Sequence, residues 1–115
     1  MADMQAETRS NARLVLTTAA DAAEAERLAG TLVEERLIAC ATLVPGAKSI
    51  YRWQGAVESS AETLLLLKTT AEQIPSLQAR LHTLHSYDTP EFLVISVESG
   101  SGKYLDWLAA SLRRP

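Results

Sequence analysis

Cysteine is nearly absent from this chain of 115 residues, and Cys40 is the single one. One cysteine excludes an intramolecular disulfide framework and is typical of a reducing compartment. No apolar stretch approaches the roughly 20 residues that cross a bilayer. Residues 1–12 lack the apolar core of a secretory signal and predict a disordered N-terminal lead. We therefore expect a cytoplasmic protein with no membrane partner.

Positive charge is also scarce. The chain has 11 basic and 14 acidic residues, a formal net charge of −3 and a pI near 5.3. Such a surface has no strong cationic field for a phosphate backbone, so we expect no nucleic-acid partner. An RNA-binding module would also need stacking aromatics on its central strands, and "IACATLV" and "FLVISV" contain one aromatic between them. With 47% hydrophobic residues, the chain predicts one domain over residues 13–115.

Motifs of catalysis and of dedicated metal binding are missing as well. The chain has no Gly-rich phosphate loop, GxSxG, HExxH or CxxC. Cys40 lies in an apolar run, where a cysteine is more often a small buried hydrophobe, and a Cys–His dyad would form only if folding brought the two residues together. His82 and His85 are three apart on a predicted helix and could present two imidazoles to one metal. His85 is the better candidate because it follows Leu81 by four residues, at the edge of the apolar stripe.

Hydrophobic periodicity predicts the order strand, helix, strand, strand, helix, strand, followed by a C-terminal helix. Capping-box spacing marks the helix starts at Asp21 and, within a few residues, at Thr70. The order predicts the α+β class, a ferredoxin-like βαββαβ sandwich with both main helices on one face of the sheet. The predicted strands cover residues 13–18, 38–44, 63–70 and 91–97, and the last is expected to be buried on both faces.

A long β-hairpin is predicted in the middle of the chain. Gln54-Gly55 supplies a tight turn, which places Tyr51 opposite Glu58. Pro45-Gly46 predicts a bend or bulge in the first arm. Each arm then runs about 14 to 17 residues, whereas strands usually have about 5 or 6.

The outer half of this hairpin predicts association. Two helices cover only its inner half, and strand alternation puts Tyr51 and Trp53 on one face of the projecting part. Soluble proteins avoid open sheet edges with large aromatics or use them to bind another chain. The alternative is a twisted hairpin in which Trp53 caps its own core.

Two further features offer polar groups. "HSYDTPEF", residues 85–92, places His85, Tyr87 and Glu91 near the rigid Pro90, and it is either a helix-to-strand connection or part of a pocket. Lys68 ends the run "LLLLK". Its ammonium either reaches solvent or binds a small anion or carboxylate in a cleft.

Four stretches together carry a resemblance to a known family. "ERLIACATLVPGAKSIYRWQG", "LLLLKT", "LHSYDTPEFLVISVESG" and "KYLDWL" closely resemble the CutA family of divalent-cation tolerance proteins, from about Leu14 to Leu112. The resemblance implies a subunit similar to the PII signalling proteins and a homotrimer in which long hairpins extend the sheets of neighbours. It also implies a cytoplasmic protein linked to tolerance of copper and other divalent ions. We expect no enzyme, the alternative being an enzyme that uses Cys40 or His85 in the cleft.

The resemblance also implies site residues. His85 and Cys40 are the implied metal ligands, and a ligand cleft is implied at Tyr51, Trp53, Lys68, Tyr87, Glu91 and Trp107. Some copper-binding relatives look to have a first-strand Cys and two adjacent His before a "PY" pair. In this chain those positions hold Thr17, Leu84 and, in "SY", Ser86, so that only His85 remains. We therefore expect weak binding of copper or another divalent cation.

Overall fold

The computed structural model describes residues 8–114 and shows a four-stranded antiparallel sheet in the order β3-β4-β2-β5. The strands are β1 Thr8–Arg9, β2 Ala12–Ala19, β3 Cys40–Trp53, β4 Ala56–Thr70, β5 Leu93–Ser96 and β6 Ser99–Gly100. The helices are α1 Ala22–Glu34, α2 Ile74–Leu84 and α3 Gly102–Leu112, with a 3₁₀ turn at Ala71–Gln73. The succession β2-α1-β3-β4-α2-β5 confirms the predicted ferredoxin-like α+β fold.

The structure describes part of the segment before the predicted domain boundary at residue 13. Residues 1–7 of the predicted disordered lead lie outside the described residues. Within residues 8–12, β1 pairs with β6 and β2 begins at Ala12. Ser10 donates a hydrogen bond from its hydroxyl to the carbonyl of Val97 at 2.8 Å. These contacts hold the segment before β2 against the segment from Val97 to β6.

Helix α1 begins as its sequence predicts. Asp21 is its N-cap, and its carboxylate accepts a hydrogen bond from the N–H of Glu24 at 2.8 Å. The helix ends at Glu34 rather than near Leu37, because Arg36 takes the left-handed conformation at φ 60°. The N–H of Leu37 then donates to the carbonyl of Leu32 at 3.0 Å.

Helix α2 begins differently from its prediction. Neither Thr70 nor Gln73 caps it with a side chain, so the predicted capping box is wrong. A 3₁₀ turn precedes the helix and Pro75 occupies its first turn, where the missing N–H of proline costs no hydrogen bond.

The main core lies between the sheet and the helices α1 and α2. Both helices turn apolar stripes onto alternate residues of the strands, as the periodicity predicts. The fully buried large side chains of this core are Val15, Leu32, Ile38, Leu65, Leu67, Leu77 and Leu81. Thr17 is also fully buried, and its Oγ1 has no hydrogen-bond partner among the described residues.

The opposite face of the sheet is only partly covered. Leu108 and Leu112 of α3 pack against Ala12 and Ala39 at one end. By register and alternation the rest of this face, here called the open face, carries Leu14, Leu16, Val44, Leu64, Leu66, Leu93 and Ile95. In the single chain β5 is an edge strand, and Leu93 is 55% and Ile95 43% exposed. The prediction of a last strand buried on both faces is therefore wrong for one chain.

The central hairpin has the predicted turn, register and bulge. Tyr51 lies opposite Glu58, and Gln54 and Gly55 form the turn at φ 48° and 82°, which is the two-residue geometry that suits hairpins. The register shifts between Val44 and Ala47, where Gly46 has φ 81°. Beyond this bulge the ribbon projects from the domain, and Trp53 at its end is 57% exposed. In the single chain Trp53 does not cap its own core.

Candidate functional site

His85 anchors the loop that follows α2 to the end of strand β2. Its Nε2 lies 2.7 Å from the carbonyl oxygen of Thr18, and its Nδ1 accepts a hydrogen bond from the N–H of Tyr87 at 3.0 Å. Since Nδ1 accepts, Nε2 carries the proton and donates. The residue as a whole is 8% exposed, and its side chain is fully buried. Both ring nitrogens are thus used within the chain.

Glu24 holds the next residue of the same loop. Its carboxylate accepts hydrogen bonds from both the N–H and the hydroxyl of Ser86, each at 2.9 Å, and from the N–H of Ala20 at 3.4 Å. Burial opposes ionisation of this carboxyl, but the hydrogen bonds from Ser86 and Ala20, with a smaller contribution from His85, outweigh burial and lower the pKa of Glu24. Glu24 therefore stays charged while it fixes Ser86 in place.

Tyr87 joins this loop to the hairpin. Its hydroxyl donates to a carboxylate oxygen of Glu62 on β4 at 2.7 Å, and its ring lies 4.7 Å from the ring of His85. Burial and the hydrogen bond to Glu62 raise the pKa of the phenol far above its ordinary value, so Tyr87 remains a donor. Further out on the hairpin, the hydroxyls of Tyr51 and Ser60 lie 2.7 Å apart.

A second group of predicted residues lies at the α3 end of the open face. Cys40 is directly opposite Lys68, whose ammonium donates to the hydroxyl of Thr42. The Cys40 Sγ lies 3.6 Å from the Tyr104 hydroxyl, and the hydrogen bond with Cys40, assisted by burial, raises the pKa of Tyr104. The ring of Tyr104 is in turn 5.5 Å from that of Trp107.

The structure does not bring Cys40 and His85 together. Cys40 is in register with Lys68 and, across β4, with Leu14, whereas His85 binds the carbonyl of Thr18. Those two residues of β2 are four positions apart, about 13 Å along a strand. Neither a Cys–His dyad nor a shared metal site forms in one chain.

The donor groups of one chain also do not fit a copper centre. Within residues 8–114 there is no group of three or more His, Cys, Asp or Glu side chains arranged to hold a metal ion. Both nitrogens of His85 are already hydrogen-bonded. Thr17, which stands where some relatives look to have a cysteine, is buried under the helices. The expected metal site stays a prediction that would need ligands from a second chain.

The remaining cleft residues are spread over the molecule. Tyr51 and Trp53 lie on the projecting ribbon, and Lys68 and Trp107 lie at the other end of the open face. Glu91 is exposed in the connection before β5. Within one chain the structure brings His85 to Tyr87 and places Cys40 beside Lys68, but it assembles no single cleft from the full set.

Three residues that sequence reasoning did not assign to the site help to build it. They are Glu24, which holds Ser86; Glu62, which binds Tyr87; and Tyr104, which contacts Cys40. Glu24 was visible only as a capping residue. The other two contacts join residues 25 and 64 positions apart. The one sequence signal for a tertiary role of Glu24 is its position on the buried face of α1, next to Ala25 and Leu28.

Among the described residues, no helix is both long enough and apolar enough to cross a membrane.

Comparisons with known proteins return one family. Residues 13–111 match the family described as CutA1 divalent ion tolerance protein. A divalent-cation tolerance protein CutA from Pectobacterium atrosepticum is 48% identical over 103 residues, covering 90% of this chain and 94% of that protein.

Solved structures give the same result. CutA from Synechococcus elongatus has a TM-score of 0.90 at 40% identity, covering 96% of this chain and 99% of the other. A protein from Archaeoglobus fulgidus, described as the periplasmic divalent cation tolerance protein CutA, has a TM-score of 0.86 at 32% identity, covering 89% and 99%. The match extends over the sheet, the hairpin and the site residues of this chain.

Proposed function

Because the chain belongs to the CutA1 family of divalent ion tolerance proteins, we propose that it acts in tolerance of divalent metal ions as a cytoplasmic homotrimer. Its role on this proposal is to bind a ligand or to signal, at clefts between subunits. The observation that carries the proposal is that the open face and the projecting hairpin expose apolar side chains in one chain.

The exposed apolar surface supports assembly. On the projecting ribbon Ile50 is 70%, Val57 67% and Trp53 57% exposed. On the open face Leu93 and Ile95 are also exposed, and next to them lie half-buried leucines. A two-stranded ribbon is marginally stable in water, and apolar surface of this extent marks an interface. A second copy of the same chain is an occupant of matching chemistry.

The two sheet edges support a closed ring. In the described residues β3 and β5 each pair with one strand of the four-stranded sheet, which leaves an unpaired backbone edge on both sides. An arm that reaches from one subunit to a different surface of the next makes a heterologous contact, and such contacts close into a ring when the rotation allows it. The trimer is the ring that the family resemblance implies.

Assembly would also bring the scattered site residues together. Tyr51 and Trp53 travel with the arm, while Lys68 and Trp107 stay on the open face of their own subunit. A neighbour's arm on that face would therefore place aromatic rings near an ammonium group, and the ammonium group suits a small anion. A divalent cation would instead need carboxylate or imidazole groups from two subunits.

We propose binding rather than catalysis. The alternative enzyme would use Cys40 or His85, and within one chain these two residues lie apart. Cys40→Ser and His85→Ala can be compared with the unaltered protein on a broad substrate panel. Turnover that both substitutions abolish would favour the enzyme over the binding protein.

Two measurements test the proposed function. Sedimentation equilibrium at micromolar concentration should give three times the subunit mass of 12.5 kDa. A strain that lacks this gene should grow less well in graded copper, zinc and cobalt, and the unaltered gene should restore growth. A mass of one subunit contradicts the trimer, and unchanged growth with all three metals contradicts the role in tolerance.

A further inference from the structure

A pocket lies between α1 and the start of the loop after α2, away from the open face. It has a volume of about 280 Å³ and is lined by Glu24, Arg27, Leu28, Thr31, Leu84 and Ser86. All of these residues come from one chain. No residue of a second subunit is needed to form the pocket, and it shares no lining residue with the cleft set Tyr51, Trp53, Lys68, Tyr87, Glu91 and Trp107.

Its negative group is held in place before any ligand arrives. The Glu24 side chain is largely buried, and three hydrogen bonds from Ser86 and Ala20 orient it. Two carboxylate oxygens offer about four acceptor sites in all. One site on Glu24 is thus left for a donor in the pocket.

Its positive group is available. Glu24 and Arg27 are three positions apart on α1, a spacing at which such side chains usually pair. Because the carboxylate is turned to Ser86, no ion pair forms between them, and within residues 8–114 Arg27 pairs with no other carboxylate. The pocket therefore has one cationic and one anionic group about one helical turn apart.

The rest of the lining is apolar with one hydroxyl. Leu28 is buried and Leu84 half-buried, and both supply aliphatic surface, while Thr31 adds a hydroxyl one turn beyond Arg27. The volume corresponds to about nine water-sized units, at about 30 Å³ each. Nine non-hydrogen atoms is the size of an aliphatic amino acid such as leucine.

From these observations we propose that the pocket binds a small α-amino acid with an aliphatic side chain. Glu24 accepts one hydrogen bond from the ligand ammonium, Arg27 binds the ligand carboxylate, and Leu28 and Leu84 contact the ligand side chain. A ligand with only one of the two charges leaves either Glu24 or Arg27 unpaired, so a zwitterion fits better than a simple amine or acid. Because Ser86 lines the pocket and lies between His85 and Tyr87, a bound ligand would contact the loop after α2.

The test is an NMR titration of amide signals of the full chain with three probes of one shape. They are L-leucine, L-leucine methyl ester, which has no carboxylate, and 4-methylpentanoate, which has no ammonium. We expect L-leucine to shift the amides of Thr31 and Ser86 with a Kd of about 1 mM, within the range for nine non-hydrogen atoms. The other two probes should bind at least about tenfold more weakly.

Variants decide whether the effect belongs to this pocket. Arg27→Gln should weaken L-leucine binding about tenfold. The control Arg113→Gln, at an exposed arginine just after α3, should leave binding unchanged. Glu24→Gln should also weaken it, and if that variant fails to fold, Arg27→Gln alone decides. No shift up to about 20 mM L-leucine, equal binding of all three probes, or full binding by Arg27→Gln overturns the proposal. Sedimentation equilibrium on the same samples gives the mass of the assembly in solution, so a failure of L-leucine binding can be distinguished from a failure of the proposed trimer.

Discussion

Substitution of Trp53 by alanine tests the assembly most directly. The side chain is 57% exposed in the single chain, at the end of a ribbon that no helix covers. An aromatic side chain of this kind buries about 200 Å² when enclosed, so assembly would remove about 110 Å² of Trp53 from water. At about 25 cal/mol per Å² this contributes about 3 kcal/mol per subunit.

That contribution has a measurable consequence for a trimer. Three subunits lose it together, and dissociation of a trimer depends on the square of concentration, so the concentration of half-dissociation should rise about a thousandfold. The fold of each subunit should change little, because Trp53 lies far from the core. Sedimentation velocity over a dilution series measures the assembly, and thermal unfolding followed by circular dichroism measures the fold.

The matched control is Val33→Ala. Val33 is a 41% exposed apolar residue on α1, away from both the hairpin and the open face, so its truncation should leave the mass distribution unchanged. The reasoning is refuted if Trp53→Ala dissociates at the same concentration as the unaltered protein. It is equally refuted if Trp53→Ala unfolds the subunit, because the side chain would then serve the core of its own chain.

Four further predictions concern the loop after α2 and helix α1. His85→Ala should lower the free energy of unfolding by about 2–4 kcal/mol in urea denaturation, because the buried carbonyl of Thr18 and the partly buried N–H of Tyr87 lose their partner. His82→Ala, at an exposed position, should change it by less than about 0.5 kcal/mol. Equal effects of the two substitutions would contradict the hydrogen bonds described. A metal on His85 would have to displace one of the two hydrogen bonds of its ring nitrogens. If the metal assignment from the resemblance is right, His85→Ala should reduce the affinity in copper titrations of metal-stripped protein, and an unchanged affinity would make that assignment wrong. The pKa of Glu24 in the folded state is below its ordinary value of 4.5, so its contribution to stability is present above pH 4.5 and is lost as the pH falls through the folded-state pKa. The free energy of unfolding of Glu24→Gln should therefore depend less on pH below 4.5 than that of the unaltered protein. The same pH dependence in both proteins would contradict this. Asp21→Ala should cost about 1 kcal/mol through the lost N-cap, with the exposed Asp88→Ala as the neutral control in the same denaturation assay.

The register of the hairpin shows how far local rules reach. Gln54-Gly55 indicates a two-residue turn, and once that turn is placed the pairing of Tyr51 with Glu58 follows by counting. Pro45-Gly46 likewise predicts the bulge. These features depend on neighbours in sequence, so composition and spacing suffice.

The loop after α2 shows where local rules stop. Sequence alone does not decide whether "HSYDTPEF" is a connection or a pocket lining, because its contacts lie at Thr18, Glu24 and Glu62, far away in the chain. The periodicity of α2 placed His85 at the edge of an apolar stripe but said nothing of what its two nitrogens would bind. The number of residues between Cys40 and His85 likewise does not predict how far apart they lie in the folded chain.

The sequence by itself determined the order of elements, the long hairpin, the cap at Asp21 and the family, because each of these is written in local patterns or in matching stretches. The tertiary structure alone decided that His85 has no free nitrogen, that Cys40 lies beside Lys68 and Tyr104, and that β5 is an exposed edge strand. The physical reason is that hydrogen bonds and burial are pairwise properties. They depend on which distant residues the sheet register and the helix packing bring within a few ångströms.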